Sequence, residues 1–249
     1  GYSISYMEPR DIWLQDGICW GRMRTLSVVD DPSDWFSFQD ERAQPLADLD
    51  VMLMRKDPPF DMQYIYLTYL LEQAEAQGLR VINKPASLRD ANEKLFTAWF
   101  PQCCPKTFVS NRIDLLRDFV MAEGKAVVKP LGAMGGESIF VLQAEDVNLN
   151  VILETMTQHE QDFIMAQHYI PEVMQGDKRI LMVNGQPMPY GLLRMPAADD
   201  FRGNLASGAQ SQVAELTDHD LWICEQVGPM LVKKGLLFVG LDVIGHYLT

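Results

Sequence analysis

The stretch from Val127 to Leu142 constrains this chain more than any other. It runs Val127-Val128-Lys129-Pro130, then Leu131-Gly132-Ala133-Met134-Gly135-Gly136-Glu137-Ser138, then Ile139-Phe140-Val141-Leu142. Two apolar, β-branched runs flanking a glycine cluster read as strand, turn, strand. Gly132, Gly135 and Gly136 leave room for backbone N–H groups to approach an anion, and Lys129 adds a point charge at the mouth of the turn. A Walker A loop carries its lysine after the last glycine and then opens a helix. Here the lysine comes first and a strand follows, so the predicted shape is a hairpin flap. Two readings stay open at this level: a cradle for phosphate, or a glycine-rich β-turn and nothing more.

The formal net charge of −13 argues against nucleic acid or an anionic membrane surface as partner. An anionic small substrate would need a local basic pocket, and Arg55, Lys56, Lys94, Lys129, Arg179 and Arg202 all lie beside glycine- or proline-marked stretches. With 249 residues, 47% of them hydrophobic, the chain can bury the core of one large or two smaller domains. No apolar run approaches the ~20 residues of a membrane span, and the longest, Leu236 to Ile244, is broken by Asp242. No signal peptide opens the chain, which predicts a cytoplasmic protein. Cys19, Cys103, Cys104 and Cys224 lack metal-ligand spacing and read as reduced thiols.

In chain order, residues 1 to 29 alternate in short strand-like runs. The chain has no initiator methionine and reads as cut at its start. Trp35, Phe36 and Phe38 are expected to be buried aromatics. The strand Val51 to Met54 ends in Arg55-Lys56-Asp57-Pro58-Pro59, either a ligand-facing strand end or an exposed turn with a local ion pair. Asp61 is placed to cap a helix from Met62 to Gln77 that Gly78 terminates, and Val81 to Pro85 is the next strand. That order predicts a βαβ unit with parallel strands. Ser87 and Asp90 have capping-box spacing for a helix from Leu88 to Phe100 that carries Lys94.

Beyond Pro101 and Pro105, a strand at Thr107 to Val109 and a helix at 112 to 123 lead into the flap. A helix at 151 to 160 follows, then a strand from Phe163 that Pro171 stops. Asp177 to Val183, Asn184-Gly185 and Pro187 to Met195 form a predicted hairpin. The polar stretch 196 to 212 is a lid or a surface loop. A helix from Leu216 to Lys234, capped by Thr217, is expected to break or kink at Gly228-Pro229. In the last apolar strand Asp242 is costly to bury unless it is paired, which leaves a cation ligand or a hydrogen-bonded structural carboxylate.

Taken together, these pieces resemble the ATP-grasp ligases, and within them the prokaryotic-type glutathione synthetases. The resemblance rests on LMRKDPPFD (53 to 61), VINKPASLRDANEKLFTAWF (81 to 100), KPLGAMGGESIF (129 to 140), GDKRILMV (176 to 183), RGNLASGA (202 to 209) and FVGLDVIG (238 to 245), and it covers the whole chain. It implies an α/β protein with an ATP-grasp fold preceded by a Rossmann-like parallel α/β substrate domain. The implied boundaries are 1–91 for that domain, 92–166 for the central ATP-grasp subdomain and 167–249 for an incomplete C-terminal one.

The implied reaction joins γ-glutamylcysteine to glycine at the expense of ATP, through an acyl phosphate, with Mg²⁺ or Mn²⁺. By position, Lys94 and Lys129 resemble the phosphate lysines, and Gly132, Met134, Gly135 and Gly136 the flap. Gln167, His168, Tyr169 and Ile170 resemble the adenine linker, and Asp177 a ribose ligand. Arg179, Arg202 and Asn204 would hold phosphate oxygens, Asp242 the metal, and Arg55 and Lys56 substrate carboxylates. The family habit implies a homo-oligomer.

The chain departs from the family in three places. His168 stands where an amide is usual, the lid opens with Ala197-Ala198-Asp199 instead of glycines, and the family's downstream Glu-x-Asn pair lies beyond Thr249. Both ends are therefore expected to be truncated, with a thin metal site. Two alternatives keep the fold: a non-catalytic ATP-binding module, and a ligase for another carboxylate and amine.

Overall fold

The structure, a computed structural model, describes residues 2–196 and 210–249. The chain divides into two compact units, Gly1–Arg89 and Asp90–Thr249. Among the described residues no helix is long and apolar enough to cross a membrane.

In the first unit β1 (Ile4–Tyr6), β2 (Ile12–Gln15), β3 (Ile18–Val28) and β4 (Phe36–Pro45) form an antiparallel sheet in the order β1-β3-β2, with β4 on β3. Asp16 and Gly17, both at positive φ, make the tight turn between β2 and β3. β5 (Val51–Leu53), α1 (Met62–Ala76) and β6 (Arg80–Ile82) are the expected βαβ unit, with β5 and β6 parallel. Asp61 caps α1 by accepting the Tyr64 N–H at 2.9 Å. Alternate β3 residues Cys19 and Met23 are buried with Leu67, Leu71 and Ala74 of α1 and with Leu79 and Val81.

The aromatic patch corrects the sequence reading. Trp35, Phe36 and Phe38 remain 52%, 39% and 37% exposed. β4 pairs only with β3 among the described residues and is exposed along Phe36 to Ala43 on both faces. The rings pack on one another instead, with the Arg24 guanidinium 3.9 Å from the Phe38 centroid.

The first unit closes with a short helix α2 (Pro85–Asp90), and the first element wholly within the second is a 3-10 turn at Leu95–Trp99. The single helix expected from 88 to 100 is split. Asn92 is the cause: its Oδ1 accepts the Lys94 and Leu95 N–H groups at 3.1 and 2.9 Å, an Asx cap that starts a new turn. The predicted Ser87 cap is not formed, because α2 already begins at Pro85. Lys94 therefore sits at the head of the 3-10 turn, not within a helix.

Next come β7 (Thr107–Ser110), α3 (Ile113–Glu123), β8 (Lys125–Pro130), β9 (Phe140–Gln143), α4 (Leu149–Met156) and β10 (Ile164–His168). Their sheet has the order β7-β10-β8-β9 and is antiparallel throughout. Its apolar face closes on α3 and α4 through Leu116, Val120, Val128, Leu142, Leu153 and Ile164.

A second sheet is built from β11 (Asp177–Val183), β12 (Gln186–Pro187), β13 (Tyr190–Met195), β14 (Gln210–Glu215), β15 (Phe238–Ile244) and β16 (Tyr247–Leu248), with α5 (Asp218–Lys234) between β14 and β15 in sequence. Its order is β14-β13-β11-β15-β16, with β12 on β11. Thr217 and Asp220 form the capping box of α5. Of the expected break or kink at Gly228 and Pro229, the break is absent: the helix is continuous through both. Gly228 serves close approach instead: a Cβ there would strike the Gly185 carbonyl, and one on Gly185 would lie 2.5 Å from Val232 Cγ2. The hairpin tip thus rests directly on the helix.

Candidate active site

Strand alternation places four charged side chains on one face of β13, β11 and β15. Asp177 is the cross-strand partner of Arg194, and Arg179 is the partner of Asp242. Residues of opposite parity, Ile180, Met182, Leu241 and Val243, are buried on the other face. There Lys178 reaches Asp220 of α5 at 2.5 Å.

The four charges form one network. Arg179 grips Asp242 with two parallel bonds, Nε to Oδ1 and Nη2 to Oδ2, the second at 2.9 Å. Arg194 Nη2 lies 2.8 Å from Asp242 Oδ1 and also bonds Asp177 Oδ2. Arg194 is buried, and its Nε and Asp177 Oδ1 are the buried side-chain atoms without a partner among the described residues. Burial pushes the Asp177 carboxyl up, the Asp242 charge adds to this, and the two arginines oppose it. Arg194 was missed in the sequence reading. The signal was there: an arginine inside Leu192-Leu193-Arg194-Met195 is as costly in an apolar strand as Asp242.

The flap has the expected hairpin form, β8 and β9 pairing across it. Gly135 and Gly136 adopt positive φ, and Glu137 N–H bonds the Met134 carbonyl at 3.1 Å. Lys129 is buried in β8. Burial, and then the charge of Lys94, lower its pKa to about 8, while Asp242 and Asp177 act against that. Lys94 bonds the Ala133 carbonyl, and burial lowers its pKa as well. Asn92 Nδ2 donates to the Leu131 carbonyl at 2.9 Å, so two neighbouring side chains hold the root of the flap. Asn92 was the second residue missed.

The linker after β10 is held from both sides. His168 N–H donates to the Lys106 carbonyl and Tyr169 N–H to the Lys125 carbonyl, at 2.9 and 3.2 Å. Gln167 is buried and donates to Thr107 Oγ1. The His168 ring turns outward to Glu123, Nδ1 to Oε2 2.9 Å, so its side chain is engaged there while its backbone stays in the strand. The Tyr169 ring lies under the Lys125 ammonium, 3.8 Å away.

Arg55 and Lys56 belong to the first unit, on the loop after β5, where Lys56 Nζ donates to the Asp57 carbonyl at 2.8 Å. Arg202 and Asn204, like lid residues 197 to 209 as a whole, lie outside the described residues.

For a metal, the donor set is small. Asp242 has two hard oxygens, both held by Arg179 and Arg194, Asp177 has one orphaned oxygen, and no group of three or more His, Cys, Asp or Glu able to hold an ion occurs among the described residues. Mg²⁺ commonly takes one or two carboxylates and completes its shell with phosphates and water, so the residues fit a cation that arrives with a nucleotide.

The fold class follows from structural similarity. The chain superposes on D-cycloserine synthetase with a TM-score of 0.62 at 14% identity, covering 79% of this chain and 71% of that one. It matches a RiPP-associated ATP-grasp ligase from Chryseobacterium gregarium, in complex with ADP and a leader and core peptide, with a TM-score of 0.60 at 15% identity, over 98% of this chain and 76% of that one. The fold is therefore the ATP-grasp fold.

Sequence comparison narrows the class. Residues 1–89 match the family model for the prokaryotic glutathione synthetase N-terminal domain, and residues 93–249 that for its ATP-grasp domain. The glutathione synthetase of Coxiella burnetii is 59% identical over all of this chain and 77% of its own length, and that of Pseudomonas syringae pv. tomato 57% over all of this chain and 78% of its own. The chain belongs to the prokaryotic glutathione synthetase family.

Proposed function

We propose that this chain is an ATP-dependent carbon–nitrogen ligase that joins γ-glutamylcysteine to glycine, giving glutathione, ADP and phosphate. The 59% identity to a glutathione synthetase along the entire chain carries the reading. The charged sheet face supports it chemically, because transferring a phosphoryl group to a carboxylate brings two anions together and needs fixed cations rather than a covalent nucleophile.

In this reading the cysteinyl carboxylate attacks the γ-phosphorus, and ADP leaves with the electrons of the broken bridging bond. The glycine amine then attacks the acyl carbon, a proton leaves the nitrogen, and phosphate departs. The adenine edge pairs with the linker at 167 to 170. Asp177 receives the ribose. Lys129, Lys94 and the flap glycines hold the phosphates.

Arg179, with Arg202 and Asn204, meets the charge developing on the transferred group. Arg194 keeps Asp242 and Asp177 in place, and Asp242 holds Mg²⁺ or Mn²⁺, which when bound neutralises phosphate charge. Arg55 and Lys56 take substrate carboxylates, and the 196 to 212 stretch keeps water from the acyl phosphate. Residues 92–166 and 167–249 act as the two ATP-grasp subdomains, following 1–91. A cytoplasmic homo-oligomer without nucleic-acid or membrane partners completes the proposal.

The test is ADP release with Mg²⁺-ATP, γ-glutamylcysteine and glycine, each omitted in turn. Release that needs all three supports the reading. Release with a different amine or carboxylate indicates another ligase, and nucleotide binding without release indicates a non-catalytic module.

A further inference from the structure

Gly240 lies inside β15, two residues before Asp242, where a glycine gives up both side-chain packing and strand propensity. Its backbone does not call for one. Gly240 is absent from the positive-φ glycines, and its register with Leu181 is regular. An L side chain could adopt this conformation without strain.

Space is what the position requires. A Cβ at 240 would lie 2.6 Å from Arg179 Cδ, 3.0 Å from Nη1 and 3.1 Å from Nε. Arg179 starts on the neighbouring strand opposite Asp242, and its chain crosses the bare Cα of Gly240 to reach that carboxylate edge-on. The two-bond geometry depends on the guanidinium lying flat over β15. A methyl group there meets the arginine at Cδ and along the edge of its guanidinium, so the head group cannot stay where it lies.

We infer that Gly240 is a positioning residue for Arg179: the missing side chain forms the floor on which the arginine lies, and so sets where its guanidinium stands beside Asp242 and the phosphate site. The inference rests on the proposed role of Arg179 in holding the transferred phosphate. Gly240 touches no reacting atom and acts through Arg179 alone.

The experiment is a double-mutant cycle with Gly240→Ala, Arg179→Ala and the pair. It is read by kcat and KM for ATP, by the calorimetric Kd of the β,γ-imido analogue of ATP with Mg²⁺, and by Tm. Gly240→Ala is expected to lower kcat/KM and weaken analogue binding by ~10-fold or more, the scale of a lost charge-assisted pair, without lowering Tm. In the Arg179→Ala background the same change should have no further effect, since the atoms it displaces are gone. A purely structural role for Gly240 would instead lower Tm and persist in that background, which overturns the inference. Gly240→Ala matching the parent while Arg179→Ala is impaired overturns it too, leaving the phosphate reading intact. If Arg179→Ala itself matches the parent, the phosphate reading of Arg179 fails, and the inference with it.

Discussion

In β10, Ile164, Met165, Ala166 and Gln167 are all buried, whereas in β11 buried Ile180 and Met182 alternate with the charged face of Asp177 and Arg179. The two strands belong to neighbouring sheets of one unit and obey the same period of two. What differs is the cover. β10 is flanked by β7 and β8; the hydrophobic effect packs its Ile164 and Ala166 under α3 and α4, and Gln167, on the other parity, is buried with a hydrogen bond to Thr107. β11 has α5 on one face only. On the other face charges are brought together, at a desolvation cost that pairing offsets. The helix-covered face of the first sheet is packed for stability, and the open face of the second spends stability on a charged network.

The largest effect that would break this contrast is at Arg194. Arg194→Ala leaves Asp177 buried without its cation, and should cost about 3–5 kcal/mol in urea unfolding. Replacing Asp177 and Arg194 together by leucine should restore most of that stability while abolishing nucleotide binding. A single variant as stable as the parent would mean that pairing does not hold the charged face.

The counterpart in the other sheet is Leu153→Ala, a fully buried residue of α4. It should cost about 2–5 kcal/mol through lost burial and a cavity, with nucleotide affinity unchanged. Weakened nucleotide binding in a variant that remains folded would blur the distinction between the sheets.

A third, smaller effect concerns pH. Lys129, lowered to about 8, is increasingly neutral above that pH in the free chain, while bound phosphates favour the ammonium. Binding therefore takes up a proton in the window above pH 8. Affinity for ADP should fall as pH rises through it, by up to about tenfold per pH unit. Lys129→Arg should flatten the titration. Affinity that rises above pH 8 would contradict the sign. The smallest effect is expected at Thr217→Ala, where loss of the α5 cap should cost about 1 kcal/mol in thermal unfolding and leave ligand affinity alone.

Features that depend on a few neighbouring residues were legible in the sequence. The flap hairpin, the Asp61 and Thr217 caps, the parallel β5-α1-β6 unit and the Asn184-Gly185 turn all appear where expected, the last with both residues at positive φ. Other readings failed because a more distant or competing partner decided. Ser87 fell inside a helix that starts earlier, at Pro85, and the Asn92 side chain split the expected helix ahead of Lys94. Trp35, Phe36 and Phe38 looked like core until β4 proved to be an edge strand. Gly228 read as part of a break or kink, since nothing nearby in the chain indicated that Gly185 would rest against it.

By itself the sequence determined the family and the motifs that carry it, together with most of the short elements, because turns, caps and alternation are written in adjacent residues. Only the tertiary structure decided that Asp177, Arg179, Arg194 and Asp242 form one network. Arg179 and Asp242 are 63 residues apart, and their meeting depends on antiparallel register and on which face α5 covers. Those are properties of pairing between strands, which no single strand encodes.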